Sequence, residues 1–271
     1  MYQVVKRDGT IADFNISKIS LAIQKAFEAT AADSYFEWST EEEHENYRTY
    51  VRIMAELDWP AFLEYDPDLH AEIISCVEDG DAEGITDALY SHFGALFLKE
   101  LEERFEESAV IRPERLPAIR EALLLYQLGY YFGAVAILTT QMEGVLSDID
   151  EYIIRTGRSY KEKNLQLVKT RYGVNQRSVK GLAIKAFLEA KDANGEAGEY
   201  DYLIGYFRMK VLRRELPEAD LCEHTNRHAF CHGKQCNYGS REHALKTILC
   251  IDALEFVADV IANSDVDRAA G

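Results

Sequence analysis

The chain has 271 residues, of which 47% are hydrophobic, and its formal net charge is −17 at neutral pH. That length can bury one substantial core, and no apolar run approaches the roughly 20 residues that a membrane-spanning helix needs. The first residues lack the hydrophobic stretch and cleavage site of a signal peptide, and an odd count of five cysteines does not indicate a disulfide framework. We therefore expect a cytoplasmic protein with reduced thiols and no membrane partner.

Strands are predicted only at the start of the chain. Residues 3–6 and 10–14 flank Asp8-Gly9, and an Asp-Gly pair between alternating residues is a strong signal for a β-hairpin. Apolar residues then recur at helical spacing from about Ser17. The sequence therefore predicts a short hairpin followed by a helix.

Residues 1–30 also contain a pattern of apolar and basic positions, formed by Val5, Lys6, Arg7, Asp8, Gly9, Phe14, Lys18, Ile19, Ala22, Ile23, Ala26 and Phe27. With this pattern the segment resembles the start of an ATP cone, the nucleotide-sensing module of ribonucleotide reductases and of a repressor of their genes. The resemblance implies that Lys6, Arg7 and Lys18 hold the triphosphate of ATP or dATP, and basic side chains beside a helix N-terminus suit phosphate. The pattern stops after Ala31, so the segment is a remnant of the module, a tethering hairpin or a cone with a divergent second half.

Residues 31–112 form an acidic region that is predicted to be helical. The predicted helix breaks are Trp59-Pro60, Asp66-Pro67 and Gly80 or Gly84. An apolar stripe at helical spacing follows, formed by Tyr90, Phe93, Leu96, Phe97 and Leu101. We therefore expect this region to pack against another part of the protein.

Residues 113–263 are predicted to form a helical bundle, which begins at Arg112-Pro113 and precedes a frayed tail at 264–271. Two helices hinge at Gly129, and the apolar positions of the pair are Leu124, Leu128, Tyr131, Val135, Leu138, Met142, Val145 and Ile149. Gln141 and Glu143-Gly144 interrupt this apolar pattern. The fold class that follows is mainly α: an acidic helical region and a bundle, after a short N-terminal β-hairpin.

The negative net charge argues against a nucleic-acid partner, but the charges are unevenly distributed, and one segment is basic enough to bind a nucleic acid. Residues 155–191 contain ten Lys or Arg and only two acids, Glu162 and Glu189. These cations either supply a positive field for a phosphate backbone or form solvated helix faces.

An Arg and a His lie five positions apart near the end of the chain, at Arg227 and His232. The turn Tyr238-Gly239 and an apolar segment, 244–254, follow them. A histidine can move a proton near neutral pH, and an arginine can stabilise a phosphorane as it gains negative charge. This pair could therefore cut RNA without a metal ion or other cofactor.

Together, the Gln-x-Glu-Gly helix and the Arg-His segment resemble the HEPN superfamily, in particular its prokaryotic ribonucleases of phage-defence and toxin type. By this resemblance Arg227 is the family arginine, His228 the polar residue after it and His232 the family histidine. The resemblance implies a two-fold homodimer whose paired motifs form one cleft, in which RNA is cut by 2'-hydroxyl attack to give a 2',3'-cyclic phosphate. Asn226 and Glu143 are candidate supporting residues, with Glu143 fixing Arg227 or His232. An antitoxin or a regulatory protein is a further candidate partner.

Three alternatives stay open at this point. Thiols and imidazoles crowd into fifteen positions, at Cys222, His224, His228, Cys231, His232 and Cys236, but their spacing matches no common zinc motif, so no metal site is predicted. Arg227 and Glu143 could form a buried structural ion pair. The bundle as a whole could be a non-catalytic HEPN-like module that dimerises or binds a nucleotide or a partner.

Overall fold

The computed structural model describes residues 3–5, 11–13, 40–156, 199–213 and 225–263, and this part of the chain is mainly helical. The chain divides into two compact units, Met1–His44 and Glu45–Gly271. Apart from Arg155 and Thr156, the basic segment 155–191 lies outside the described residues.

The first unit contains two short strands, β1 (Gln3–Val5) and β2 (Ile11–Asp13). They pair antiparallel, with Gln3 opposite Asp13 and Val5 opposite Ile11. Residues 6–10 lie outside the described residues, so the hairpin turn stays a prediction.

The first helix of the described residues is α1 (Glu41–Glu56). Thr40 and Glu43 cap its start reciprocally, because each side chain accepts the main-chain N–H of the other at 3.1 Å. This pairing is a capping box, which satisfies two N–H groups that the first turn leaves without partners.

Three further helices complete the acidic region: α2 (Pro67–Asp79), α3 (Ala82–His92) and α4 (Ala95–Glu107). Asp66 caps α2 by accepting the N–H of Asp68 at 2.9 Å, and Gly80 ends it with a φ of 69°. The predicted breaks at Asp66-Pro67 and Gly80 are therefore confirmed. The predicted apolar stripe is divided between α3 and α4, since the chain turns at Gly94.

The second half of the chain begins with a 3-10 turn, Pro113–Arg115, which leads into α5 (Leu116–Gln127). The long helix α6 (Tyr131–Thr156) follows. Later elements are α7 (Glu199–Tyr206), a π-helical turn (Phe207–Val211), α8 (Arg227–Cys231) and α9 (Arg241–Asn263). Gly129 joins α5 to α6 with a φ of 81°, which confirms the predicted hinge.

The core of the second half lies where α6 packs against α5 and α9. Most of the predicted apolar residues of α6 are fully buried, namely Val135, Leu138, Met142, Val145 and Ile149, whereas Tyr131 at its first position is half-buried. The expectation for α5 was wrong, because Leu124 and Leu128 are 52% and 59% exposed. Helix α5 instead buries the face formed by Ile119, Ala122, Leu123 and Tyr126.

Helix α4 and the loop that carries Trp59 pack against α9, so the expected packing of the acidic region is present, although the sequence did not identify its partner. Arg104 on α4 pairs with Asp252 of α9, and Trp59 lies under the ammonium of Lys246 at 4.9 Å from the ring centroid. Among the described helices, none is both long enough and apolar enough to cross a membrane.

Candidate functional site

Asn226 holds the start of α8. Its side-chain oxygen accepts the N–H of Ala229 at 2.8 Å, and its amide donates to the carbonyls of Lys210 and Arg213 at 2.7 and 2.9 Å. Its main-chain N–H donates to the side-chain oxygen of Gln235 at 3.0 Å. Because Asn226 is buried and its side chain is bound on all sides, it positions the helix and does not face solvent.

The other end of α8 closes in a Schellman turn at Gly233. The N–H of Gly233 donates to the carbonyl of Phe230 at 3.0 Å, and the N–H of Lys234 donates to the carbonyl of Ala229 at 2.8 Å. Gly233 has a φ of 66°, a conformation that glycine adopts without strain. A helix of five residues is not stable by itself, so its two caps fix the side chains it carries.

The two histidines of the segment lie side by side. The ring centroids of His228 and His232 are 4.4 Å apart, and the ring planes are inclined by 60°. This proximity follows from the i,i+4 spacing, which places both side chains on one face of α8. His228 is half-buried, whereas His232, at the C-cap, is exposed.

Arg227 is the first residue of α8, and its guanidinium pairs with the carboxylate of Glu143 on α6. The predicted association of Glu143 with the Arg-His segment is therefore present. The side chains of Arg227 and Glu143 are 33% and 43% exposed. The alternative of a buried structural pair does not fit these exposures, and an anion from solvent can reach the guanidinium.

The rest of the Gln-x-Glu-Gly segment holds a second arginine. Arg115 grips the buried carboxylate of Asp148 with two hydrogen bonds, at 2.6 and 2.9 Å, and donates to the side-chain oxygen of Gln141 at 3.3 Å. The guanidinium crosses α6 at Gly144, where a Cβ would overlap it. Gln141 and Gly144 thus accommodate Arg115, while Glu143 between them faces Arg227.

An aromatic chain connects α8 with the start of α6. The ring of Phe230 contacts that of Tyr238 edge-on at 4.9 Å, and Tyr238 contacts Phe132 edge-on at 5.0 Å. The ring of Phe132 also lies against Gly239, where a Cβ would overlap it. The predicted Tyr238-Gly239 turn therefore packs against α6.

Gln235 and His243 connect α8 with α9 through buried side chains. Both are buried, and the Nε2 atoms of their side chains are 3.3 Å apart. Gln235 thus links the start of α8 to the first turn of α9. No sequence pattern indicates Gln235, since its position in a loop carries no periodic signal.

No metal site emerges from the described part of the chain. Among residues 40–156, 199–213 and 225–263, no group of three or more His, Cys, Asp or Glu is placed to hold a metal ion. Cys222 and His224 of the zinc alternative lie outside the described residues, as do Lys6, Arg7 and Lys18 of the predicted nucleotide site. Cys231 and Cys236 are exposed free thiols.

The comparison with protein families bears on the start of the chain. Residues 2–53 match the model of the ATP cone domain. The N-terminal segment thus resembles a nucleotide-binding regulatory module. The match continues to residue 53, so the expectation that the pattern stops after Ala31 was wrong. The comparisons with curated proteins and with solved structures returned no match. The HEPN resemblance of residues 113–263 stays a prediction.

Proposed function

We propose that the chain is an endoribonuclease that cuts RNA without a metal ion. The observation that carries the proposal is helix α8 with its C-cap: Arg227 is half-exposed at the first position of the helix, and the ring of His228 lies beside the ring of the C-cap residue His232. A guanidinium to stabilise phosphate charge and imidazoles to move protons are sufficient for this chemistry.

In the proposed reaction His232 takes the proton of a ribose 2'-hydroxyl, and the 2'-oxygen forms a bond with the adjacent phosphorus. The bond between phosphorus and the 5'-oxygen breaks, and a protonated imidazole supplies a proton to the leaving oxygen. Arg227 exchanges the Glu143 carboxylate for phosphate oxygens and stabilises the phosphorane. The products are a 2',3'-cyclic phosphate and a 5'-hydroxyl.

The reaction needs one neutral and one protonated imidazole. A two-fold homodimer, which the HEPN resemblance implies, would supply a second His232 and a second Arg227 to the same cleft. His228 would then orient His232 or the base, in keeping with the 4.4 Å between their ring centroids.

We further propose that the ATP-cone segment binds ATP or dATP through Lys6, Arg7 and Lys18 and that this binding regulates cleavage. The family match of residues 2–53 supports this proposal. Titration calorimetry with each nucleotide tests it, and the absence of binding heat with both would contradict it. In the cell such an enzyme would act as a toxin or phage-defence effector, restrained by nucleotide level, an antitoxin or another regulatory protein.

Cleavage of a mixed tRNA and mRNA pool in EDTA tests the ribonuclease proposal. We expect 2',3'-cyclic phosphate ends with the wild type and none with Arg227→Ala or His232→Ala. Arg120→Ala is the matched control, because Arg120 on α5 is 42% exposed and, like Arg227, pairs with a part-exposed carboxylate of a neighbouring helix, that of Glu102 on α4. Cleavage that survives both site variants would overturn the proposal.

The alternative is a non-catalytic HEPN-like module, and the Arg227–Glu143 pair is the observation that favours it, since it neutralises the arginine of the site. RNA that stays intact with and without ATP or dATP would support this alternative. Activity that appears only with a nucleotide would support a regulated enzyme.

A further inference from the structure

Two aromatic side chains are exposed at the start of α6, beside the candidate site. Tyr130 is 64% exposed and Phe132 is 55% exposed. Large aromatic side chains are mostly buried in folded proteins, and exposed ones that cluster mark binding surfaces. The aromatic contacts of Phe132 lead directly to α8.

The ring of Phe132 is fixed although it is exposed. One part of it lies against the backbone of Gly239, and its neighbour Tyr238 meets it edge-on at 5.0 Å. Tyr238 in turn meets Phe230 of α8 edge-on at 4.9 Å. An aromatic ring held in this way loses little conformational freedom when it binds a partner, so it can serve as a stacking surface.

The segment that contains α8 and Tyr238 has a positive formal charge, whereas the chain as a whole is negatively charged. Residues 225–241 contain three Lys or Arg, at Arg227, Lys234 and Arg241, and no Asp or Glu, in a chain whose net charge is −17. Lys234 is exposed, and so is Arg241, whose guanidinium lies over the ring of Tyr90 at 3.9 Å from the ring centroid. Cations that neutralise phosphates beside an aromatic ring that stacks on a base are the combination by which proteins bind single-stranded RNA.

We infer that Phe132 and Tyr238 form a stacking platform for an unpaired base, and that the substrate of this site is single-stranded RNA. This inference rests on the proposed ribonuclease function. The chemistry of cleavage favours the same substrate, since 2'-hydroxyl attack requires the 2'-oxygen, the phosphorus and the 5'-oxygen to come into line. An unpaired nucleotide can rotate to reach that arrangement, and its base is not already stacked in a duplex.

Binding of a fluorescein-labelled 12-nucleotide RNA, alone and annealed to its complement, tests the inference by fluorescence anisotropy. The whole 271-residue chain carries His232→Ala so that the RNA stays intact. We expect the single strand to bind more tightly than the duplex, and Phe132→Leu to weaken single-strand binding by about fivefold or more, which is the lower end for the loss of one stacked base. Phe132→Trp keeps a stacking ring, so its affinity should stay within about twofold and its tryptophan fluorescence should be quenched by RNA.

Leu96→Ala is the matched control, because Leu96 is an apolar side chain on α4 that is 69% exposed and has no aromatic face. It should leave RNA binding unchanged. A thermal unfolding curve for each variant verifies that the fold is intact.

The outcomes separate this inference from the proposed function. If the wild type cleaves RNA and Phe132→Leu changes neither the cleavage rate nor the affinity for single-stranded RNA, the stacking platform is overturned and the ribonuclease proposal stands. Platform-dependent binding without cleavage under any condition would support the platform and overturn the ribonuclease. If Phe132→Leu weakened the binding of single-stranded and of duplex RNA by equal factors, the inference would be overturned. It would also be overturned if Phe132→Leu dissociated a dimer, because this surface would then be an interface between copies of the chain.

Discussion

Asn226 uses every hydrogen-bonding group of its side chain within the protein, so its replacement should be costly. A helix cap contributes about 1 kcal/mol, and each carbonyl left without a donor costs about 1 kcal/mol or more. We expect Asn226→Ala to lower the free energy of unfolding by about 2–3 kcal/mol in urea denaturation. Asn226→Asp should lower it nearly as much, because a carboxylate has no N–H for the carbonyls of Lys210 and Arg213.

Asp81 provides the control for this prediction. It caps α3 by accepting the N–H of Gly84 at 2.9 Å at an exposed position. Asp81→Asn should therefore be nearly neutral, since both side chains offer an acceptor oxygen. If Asn226→Asp were equally harmless, the two donated hydrogen bonds of Asn226 would contribute nothing to stability.

Glu143 competes with phosphate for Arg227, and this competition should be measurable. A half-exposed ion pair contributes about 0–1 kcal/mol to folding, so Glu143→Gln should leave the unfolding free energy nearly unchanged. Under the proposed function, removal of the carboxylate should raise the initial rate of RNA cleavage below KM by about threefold, which corresponds to ~0.6 kcal/mol of lost competition.

Glu151→Gln is the control for Glu143→Gln, because Glu151 lies on the same helix as Glu143, α6, but pairs with Arg112. It should not change the cleavage rate. A loss of activity with Glu143→Gln as large as with Arg227→Ala would contradict the competition and would mean that Glu143 orients the guanidinium.

At the scale of helix α6, Gly144 decides how the helix meets Arg115. An alanine normally stabilises a helix by about 1 kcal/mol relative to glycine. At position 144 its Cβ would displace the guanidinium from Asp148 and leave a buried carboxylate without its main partner, a change that costs about 3 kcal/mol. We expect Gly144→Ala to lower the free energy of unfolding by about 2 kcal/mol. Gly205→Ala in α7 is the control and should raise it by up to about 1 kcal/mol, since nothing lies within 4 Å of the added Cβ.

The pH dependence of Gly144→Ala distinguishes lost pairing from a simple clash. Burial raises the pKa of Asp148, but hydrogen bonds from Arg115 and from the main-chain amide of Arg112 outweigh it and hold the pKa below its ordinary 3.8. A group with a lowered folded-state pKa contributes stability above the unfolded-state pKa and loses it as the pH falls through the folded-state value. The difference between wild type and variant should therefore shrink below about pH 4. A constant difference from neutral to acid pH would indicate a clash alone.

Helix boundaries could be predicted wherever a local signal sets them. The Pro after Asp66 and the left-handed Gly80 and Gly129 are such signals, and α2, α5 and α6 begin or end beside them. The buried face of α5 could not be predicted in this way, because Leu124 and Leu128 satisfy helical spacing but lie on the side away from α6 and α9. In a short helix with apolar residues on more than one face, only packing decides which face is buried.

At the scale of the whole molecule, the proximity of candidate-site residues could be predicted only where those residues are neighbours in sequence. The proximity of His228 and His232 follows from a spacing of four within a helix. The partner of Arg227 was predicted through the HEPN resemblance and not through any local pattern. Gln235 and Phe132 act across elements, so no local pattern indicated them. The order of the acidic region along the chain likewise gave no indication that it packs against α9.

Regulation by nucleotide, if the ATP-cone segment provides it, must be reciprocal. A nucleotide that changes the affinity for RNA by some factor must have its own affinity changed by RNA by the same factor, whatever the distance between the sites. An RNA with 2'-O-methyl groups lacks the attacking hydroxyl, so the wild-type chain can bind it without cleavage. We expect calorimetry to give a dissociation constant for ATP that differs between the free and RNA-bound protein by about 5- to 150-fold, the usual range of allosteric coupling. Lys18→Ala should abolish the nucleotide signal but leave RNA binding in the absence of nucleotide intact. Identical ATP affinities with and without RNA would show that the segment binds nucleotide without regulating the site.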